Sequence, residues 1–319
     1  MRGDNGKILV GISSCLLGAT VRYDGGHKQD AYINGTLSRH FEFLPICPEM
    51  AIGLGVPREP IRLVGEQNGL PRARGVRNAD LDVTDRLAAL GRETAGRLAG
   101  VCGYIFKSKS PSCGMERVKV YGDGGMPRRD GRGVYARVLM EALPSLPVEE
   151  EGRLGDPVLR ENFIERVFVY RRWLELTAEG LTAAALVDFH SCHKLLVMAH
   201  SQAAYRRLGR LVAQTGTRPL APLAEEYFAD LMASLQRKAT RQSHTNVLQH
   251  LMGYLKKQLD AGDKAELLEC FDAYRLGRVP LIVPITLLKH HFRRHPHAYV
   301  ARQYYLDPHP EELMLRNGL

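Results

Sequence analysis

Three short apolar runs each end in a polar turn that carries a cysteine, and this recurrence constrains the fold more than any other feature of the chain. Lys7 to Ile12 leads into Ser13-Ser14-Cys15-Leu16-Leu17-Gly18. Phe43 to Ile46 leads into Cys47-Pro48-Glu49. Gly103 to Phe106 leads into Lys107-Ser108-Lys109-Ser110-Pro111-Ser112-Cys113-Gly114. Short apolar runs bounded by turn signals read as buried strands. Between them lie helical signals at His27 to His40 and at Thr84 to Leu98, where Leu87, Leu90, Thr94 and Leu98 fall near one face and Thr84 or Asp85 is the candidate N-cap. Strands alternating with helices predict an α/β domain with a mostly parallel sheet and helices on both faces. Ligands of such sheets bind beyond the C-terminal strand ends, so Cys15, Cys47 and Cys113 are expected to converge there.

The chemistry of the turns sharpens this. Cys113 sits among three hydroxyls and two ammonium groups, a setting expected to expose the thiol and favour the thiolate. It is a candidate ligand or nucleophile, and the bland alternative is a tight or anion-binding turn with an incidental cysteine. Spacings of 32 and 66 residues do not match a zinc ribbon, whose ligands come as close C-x-x-C pairs. Thiolates from three loops suit an iron-sulfur centre, with zinc or copper(I) as the other soft-metal choices. Three ligands leave one metal position open, as catalytic centres do. Cys102, inside Leu98 to Tyr104, reads as a buried thiol.

The 319 residues are enough for two domains. The formal charge of +9, from 44 basic against 35 acidic residues, favours an anionic partner, nucleic acid ahead of a membrane. Met1 to Leu17 lacks the pattern of a secretory signal, and no apolar span reaches the roughly 18 residues of a membrane helix. A cytoplasmic protein is expected, with its six cysteines reduced or bound to metal. Nothing in the sequence sets an oligomeric state.

A short helix from Ala136 to Leu143 is expected to close the first domain, after a turn at Tyr121 to Gly125 to which no chemistry is assigned. Pro144-Ser145-Leu146-Pro147 and Glu149-Glu150-Glu151-Gly152 then read as a linker or a structured connection, giving domains 1–150 and 151–319. Beyond Asp156-Pro157 the strand signals almost vanish. Apolar residues recur at helical spacing through Phe163 to Leu174, Leu181 to His200, Leu220 to Leu235, Val247 to Leu259 and Leu267 to Tyr274, which predicts an all-α helical bundle. From Pro157 onward there are 22 basic and 16 acidic residues, and 10 of the 12 histidines. Arg171, Arg172, Arg206, Arg207, Lys256, Lys257, Arg293 and Arg294 are candidate RNA contacts, because clustered cations give phosphate affinity without sequence preference. Tyr205, Tyr254, Phe292 and Tyr299 are candidates to stack bases, core packing being the alternative. His190, Cys192, His193 and His200 invite a metal reading. His193 and His200 lie about 10 Å apart along a helix at 1.5 Å per residue, so capping, core or RNA-facing roles fit better.

The combination of Ser14-Cys15-Leu16-Leu17-Gly18, Arg22-Tyr23-Asp24-Gly25, Cys47-Pro48-Glu49, Asp82-Val83-Thr84 and Lys107-Ser108 through Ser112-Cys113-Gly114 resembles the thiouracil desulfidase (TudS) family, over about Lys7 to Leu143. The resemblance implies a 4Fe-4S cluster on Cys15, Cys47 and Cys113, whose fourth iron has no protein ligand and binds the sulfur of a thiocarbonyl substrate. It points to Glu49 as general acid or base and to Ser108 as a residue that orients the base or the water. Local backbone amides for Glu49, and its own backbone for Ser108, are the structural alternatives. Arg22, Asp24, Arg58 and Lys107 are candidates to hold a nucleotide's phosphate or base, or are solvated or structural charges.

The second half, through His193-Lys194-Leu195-Leu196, Met198-Ala199-His200-Ser201, Tyr205 with Leu208-Gly209, Pro280 to Pro284 and Leu287 to His291, resembles the YbgA-like helical domain. Fused to a TudS-like domain it is similar to the RudS family of tRNA desulfidases, which converts 4-thiouridine to uridine. The fusion implies an iron-sulfur-dependent, non-redox hydrolytic desulfidase that acts on tRNA, with RNA and not DNA as partner. A desulfidase of free thiouracil or thionucleosides is the nearest alternative. An RNA-binding protein with a redox-sensing or structural cluster is the alternative of another class.

Overall fold

The computed structural model describes residues 6–65, 69–122 and 126–318; residues 123–125 of the glycine-rich turn lie outside these. The chain divides into two compact units, Met1–Asp156 and Pro157–Leu319. No helix among the described residues is long and apolar enough to cross a membrane.

The first unit is built on a four-stranded sheet in the order β2-β1-β5-β8, with β1 Ile8–Ser13, β2 Phe41–Ile46, β5 Tyr104–Phe106 and β8 Val148–Glu150. All three pairings are parallel. The two central strands are buried along nearly their whole length, as continuous apolar runs in a parallel sheet are. β2 runs along an edge, where Pro45 leaves no required ladder hydrogen bond unmade. Gly11 in β1 is required by packing: a Cβ there would lie 2.3 Å from the ring of Tyr104 on β5. Parallel strands bring the turns after β1, β2 and β5 to one edge, and that edge carries the three cysteines.

A second sheet, order β4-β3-β6-β7, comprises β3 Ile61–Val64, β4 Arg72–Gly75, β6 Val118–Tyr121 and β7 Arg128–Gly131. The periodicity did not predict it, because its strands are four residues long and rich in arginine. The helices are α1 Ala31–Gly35, α2 Pro48–Ala51, α3 Thr84–Arg97 and α4 Val134–Ala142, the last two packed on each other. The stretch expected as a helix from His27 to His40 forms only α1 and a 3-10 turn, Leu37–Arg39. The capping expectation at α3 is corrected. Val83 is the N-cap residue, the Asp82 carboxylate accepts from Thr84 N at 3.0 Å, and Thr84 Oγ1 accepts from Ala73 N. Nor does α4 close the unit. The chain returns through β8 beside β5, and the acidic segment, read as a linker or a structured connection, is structured: a strand followed by a turn, with Glu149 and Glu150 buried.

The second unit is helical: α5 Pro157–Ala178, α6 Ala183–His200, α7 Gln202–Val212, α8 Leu220–Leu235, α9 Arg241–Gly253, α10 Ala261–Arg275, α11 Ile282–Arg294 and α12 Ala298–Ala301. Thr182, Ser201 and Asp260 cap α6, α7 and α10 with side-chain acceptors, and Thr240 forms a capping box with Ser243 at α9. α6 is buried over most of its length, with Ala183, Ala184, Val187 and Asp188 exposed near its start. Leu195, Met198 and Ala199 join the core shared with α9, α10 and α11, while Leu186, Phe189, Leu196 and Val197 join the core shared with α5, α7 and α8.

Candidate functional site

Beyond the C-terminal ends of β1, β2 and β5 lies a cavity of about 340 Å³. Cys15, Cys47, Cys113, Glu49, Arg22, Arg58, Lys107 and Ser108, eight of the nine residues singled out in this half, line it. Cys15 sits in the 3-10 turn Ser14–Leu17, which ends at Gly18 in the left-handed region (φ 94°). Cys47 is the N-cap residue of α2, its sulfur 3.8 Å from Val21 O. The turn of Cys113 is held by Ser110 Oγ, which accepts from Cys113 N at 3.1 Å and Ser112 N at 3.3 Å. The same turn is closed by Gly133, where a Cβ would lie 2.5 Å from the Ser112 carbonyl.

The exposed, thiolate-favouring setting expected for Cys113 is corrected: the residue is 6 % exposed, and burial pushes its thiol well above the usual range. A hydrogen bond with Ser13 opposes that shift. Burial also pushes Cys47 up, and Cys15 up to about 11, the latter against the pull of Lys107. Two buried thiols and one half-buried thiol that resist ionisation alone are a poor nucleophile set and a good soft-metal set, since a bound cation drives their deprotonation. Cys47 lies close enough to Cys15 and Cys113 to disfavour their ionisation, and Cys15 does the same to Cys113. Among the described residues, however, no three His, Cys, Asp or Glu side chains converge so as to hold one metal ion, and a tetrahedral zinc needs its sulfurs at about 2.3 Å. Thiols supplied by three separate turns around one cavity are the kind of donor set that holds an iron-sulfur centre.

Glu49 is not held by local amides. Its Oε2 accepts from Arg58 Nε at 2.9 Å and lies 2.7 Å from Nη2 in the ion pair, and its Oε1 accepts from Ser112 Oγ. Arg58 also donates from Nη1 to Gly55 O at 2.8 Å and toward Met50 Sδ at 3.6 Å, and from Nη2 to Val21 O at 2.8 Å. Four of its five N–H groups make these hydrogen bonds, so Arg58 positions Glu49 and is largely committed to the protein. Ser108 is not satisfied by its own backbone. Its Oγ donates to Glu151 Oε1 at 2.7 Å and its amide donates to Glu151 Oε2 at 2.7 Å. Lys107 Nζ donates to Ser108 Oγ at 2.9 Å, to Ser108 O at 3.1 Å and to Glu151 Oε1.

Arg22 lies at the cavity mouth, 5.5 Å over the Tyr23 ring. Asp24 does not line the cavity; it accepts from Gly26 N at 3.1 Å, and that amide holds its exposed carboxyl below the usual range. Sequence reasoning missed Glu151, Ser112, Lys28 and Lys109. Ser112 lay inside the quoted motif and its role was legible in principle; Glu151 reaches Ser108 at the cavity wall only because β8 pairs with β5.

In the second unit the eight candidate RNA contacts separate. Arg206, Arg207, Lys256, Lys257, Arg293 and Arg294 are exposed, Arg207 in an ion pair with Asp230. Arg171 and Arg172 are corrected. Arg171 is buried and donates to Glu175, while Arg172 stacks 3.7 Å over Tyr304, donates to Pro308 O, and is pulled down to about 10 by burial. Tyr205, Tyr254, Phe292 and Tyr299 pack against the core. His190 and His193 are buried on α6 against Tyr227 and Phe189, and His200 bonds Glu165 at 2.6 Å, so these histidines are core groups.

A family model described as "2-thiouracil desulfurase" matches residues 10–151, and one described as "Protein of unknown function (DUF1722)" matches residues 194–310. "Uncharacterized protein YbgA" of Escherichia coli (strain K12) is 35% identical over 154 residues, which are 48% of this chain and 91% of that protein. The chain belongs to the YbgA family. This YbgA-family chain is also 29% identical to "Uncharacterized protein YbbK" of Bacillus subtilis (strain 168) over 155 residues, 46% of this chain and 99% of that one. Among solved structures it is similar to a "[4Fe-4S]-dependent thiouracil desulfidase TudS", with 28% identity, a TM-score of 0.39, and coverage of 47% of this chain and 95% of the other. It thus pairs a stretch matched by the 2-thiouracil desulfurase model, residues 10–151, with one matched by the DUF1722 model, residues 194–310.

Proposed function

We propose that this chain is a tRNA 4-thiouridine desulfidase, which exchanges the sulfur of thiolated uridine for the oxygen of water and releases hydrosulfide. The C=S bond breaks and a C=O bond forms. Water supplies the oxygen and two protons, one leaving with sulfur as hydrosulfide and one going to the medium, so no oxidant or reductant is needed. The observation that carries the reading is the convergence of Cys15, Cys47, Cys113, Glu49 and Ser108 on one cavity, in a unit matched by the 2-thiouracil desulfurase model. A 4Fe-4S cluster held by the three cysteines, with one iron free of protein ligands, would supply a soft Lewis acid for the thiocarbonyl sulfur.

The chain's own residues account for the rest. Glu49, its carboxylate fixed by Arg58 and Ser112, is the group able to take a proton from the attacking water. Ser108 faces the same cavity and orients the ring. The target base must leave its stack to reach them. The exposed cations Arg206, Lys256, Lys257, Arg293 and Arg294 support a tRNA partner for the helical unit, by a sequence-independent, salt-sensitive attraction.

A second reading is favoured by the matched description, which names 2-thiouracil: a desulfidase of free thiobases. Anaerobic incubation of reconstituted protein with thiolated tRNA beside free 4-thiouridine, followed by the loss of thiouridine absorbance, separates the two. Turnover confined to the small molecule would refute the tRNA assignment. Undiminished turnover by Glu49→Gln would remove Glu49 from the mechanism.

A further inference from the structure

Glu151 belongs to no motif and is the last residue covered by the desulfurase match. Among the described residues its carboxylate accepts three hydrogen bonds, all from the Lys107-Ser108 turn: from Ser108 Oγ at 2.7 Å, from Ser108 N at 2.7 Å, and from Lys107 Nζ. Both members of the Lys107–Glu151 ion pair are largely buried, with side chains 15% and 13% exposed. A carboxylate in this position does more than anchor a turn, because it decides which way the Ser108 hydroxyl points.

A serine hydroxyl has one proton to give and two lone pairs. The proton is committed to Glu151 Oε1. One lone pair is committed to the Lys107 ammonium, which has no acceptor capacity of its own. One lone pair remains for the cavity, so Ser108 can accept a hydrogen bond from a substrate and cannot donate one. It therefore has nothing to offer a thiocarbonyl sulfur or a departing hydrosulfide. It can read an N–H.

We propose that Glu151, together with Lys107, is a positioning residue that fixes Ser108 as an acceptor for the imide N–H next to the thiocarbonyl of a thiolated pyrimidine. This rests on the desulfidase reading. Two of the acceptors that line the cavity then divide the work by basicity. The Glu49 carboxylate is able to remove a proton, and so it suits the attacking water. The neutral Ser108 oxygen holds a proton in place without taking it, and so it suits a ring N–H that must survive the reaction. A pyrimidine whose imide nitrogen carries no hydrogen is rejected, because the Ser108 lone pair then loses its partner in a half-buried site.

The test uses reconstituted full-length protein with 4-thiouridine and its N3-methyl derivative as substrates, and uridine with N3-methyluridine as non-reacting ligands in equilibrium binding. Wild-type turnover of 4-thiouridine tests the desulfidase reading on its own; the inference concerns only the ratio between each pair of compounds. Wild type is expected to favour the N–H compound by about tenfold or more in kcat/KM and in affinity, since each tenfold is 1.4 kcal/mol. Ser108→Ala should abolish the ratio. Glu151→Gln, which preserves bulk, should shrink it, and the double variant should behave like Ser108→Ala alone, because Glu151 acts through Ser108. Glu151→Asp should restore part of the ratio, and iron content with melting temperature checks that each variant is folded and loaded. A wild-type ratio in Ser108→Ala, or in Glu151→Gln, would overturn the proposal, as would additive losses in the double variant.

Discussion

Replacing Arg58 by methionine removes the charge while keeping most of the side chain's length, and the structure allows the cost to be reckoned. The Arg58 side chain is 5% exposed and that of Glu49 is 16% exposed, so the pair is largely withdrawn from water. The substitution leaves the Glu49 carboxylate with Ser112 as its remaining side-chain donor, and strips Gly55 O and Val21 O of a 2.8 Å donor each. Breaking a buried ion pair by removing one partner costs about 3–5 kcal/mol, because the other charge stays behind uncompensated. For a unit of this size that corresponds to a melting temperature lower by about 6–20 °C. Urea unfolding followed by circular dichroism, with hydrogen exchange read at the amides of β1 and β5, measures it. A loss below about 1 kcal/mol would show that the cluster of acceptors around Arg58 is hydrated, and would refute its role as the clamp on Glu49. Turnover should fall with stability held constant by added osmolyte, since the carboxylate then has no fixed direction.

Gly133→Ala would push a Cβ to within 2.5 Å of the Ser112 carbonyl and 2.7 Å of Gly114 N, all backbone atoms; a cost of about 1–3 kcal/mol and a lower iron-to-protein ratio are expected, and full iron content at wild-type stability would contradict the packing described. Serine at Cys15, Cys47 or Cys113 should each abolish cluster absorbance after reconstitution, whereas Cys102→Ser, buried and absent from the cavity lining, should retain it. In the second unit burial holds His190 and His309 down at about 4 and His193 and His244 at about 3. Their folded values lie below the unfolded 6.5, so the stability they contribute is complete above pH 6.5 and is lost as pH falls toward 3–4, at about 1.4 kcal/mol per pH unit per histidine. His200, raised by Glu165, works in the opposite direction. Unfolding free energies at pH 7.5 and 5.5 should therefore differ by several kcal/mol, and equal values would mean these histidines are solvated.

The sequence by itself determined what depends on neighbours along the chain. Each of β1, β2 and β5 is a short apolar run that ends where serine, proline or glycine stops it, and the parallel arrangement follows from the helices between. The meeting of Cys15, Cys47 and Cys113 at one edge was legible for that reason. The helical character of the second unit was legible through its 3.6-residue periodicity, as was the burial of Cys102. Tertiary structure decided everything that turns on which face meets which. Arg171 and Arg172 look like any basic pair, and only the packing around α5 buries one against Glu175 and the other on Tyr304. Arg58 reads as a phosphate or base ligand or a structural charge until Glu49, Gly55 and Val21 are seen to take its donors. Glu151 reads as part of a linker or a structured connection until β8 pairs with β5 and brings it to Ser108, 43 residues away in sequence. Local sequence encodes strand, turn and helix because their hydrogen bonds close over a few residues. The burial of a charge and the direction of a hydroxyl are set by partners tens of residues distant, and those exist only once the chain has folded.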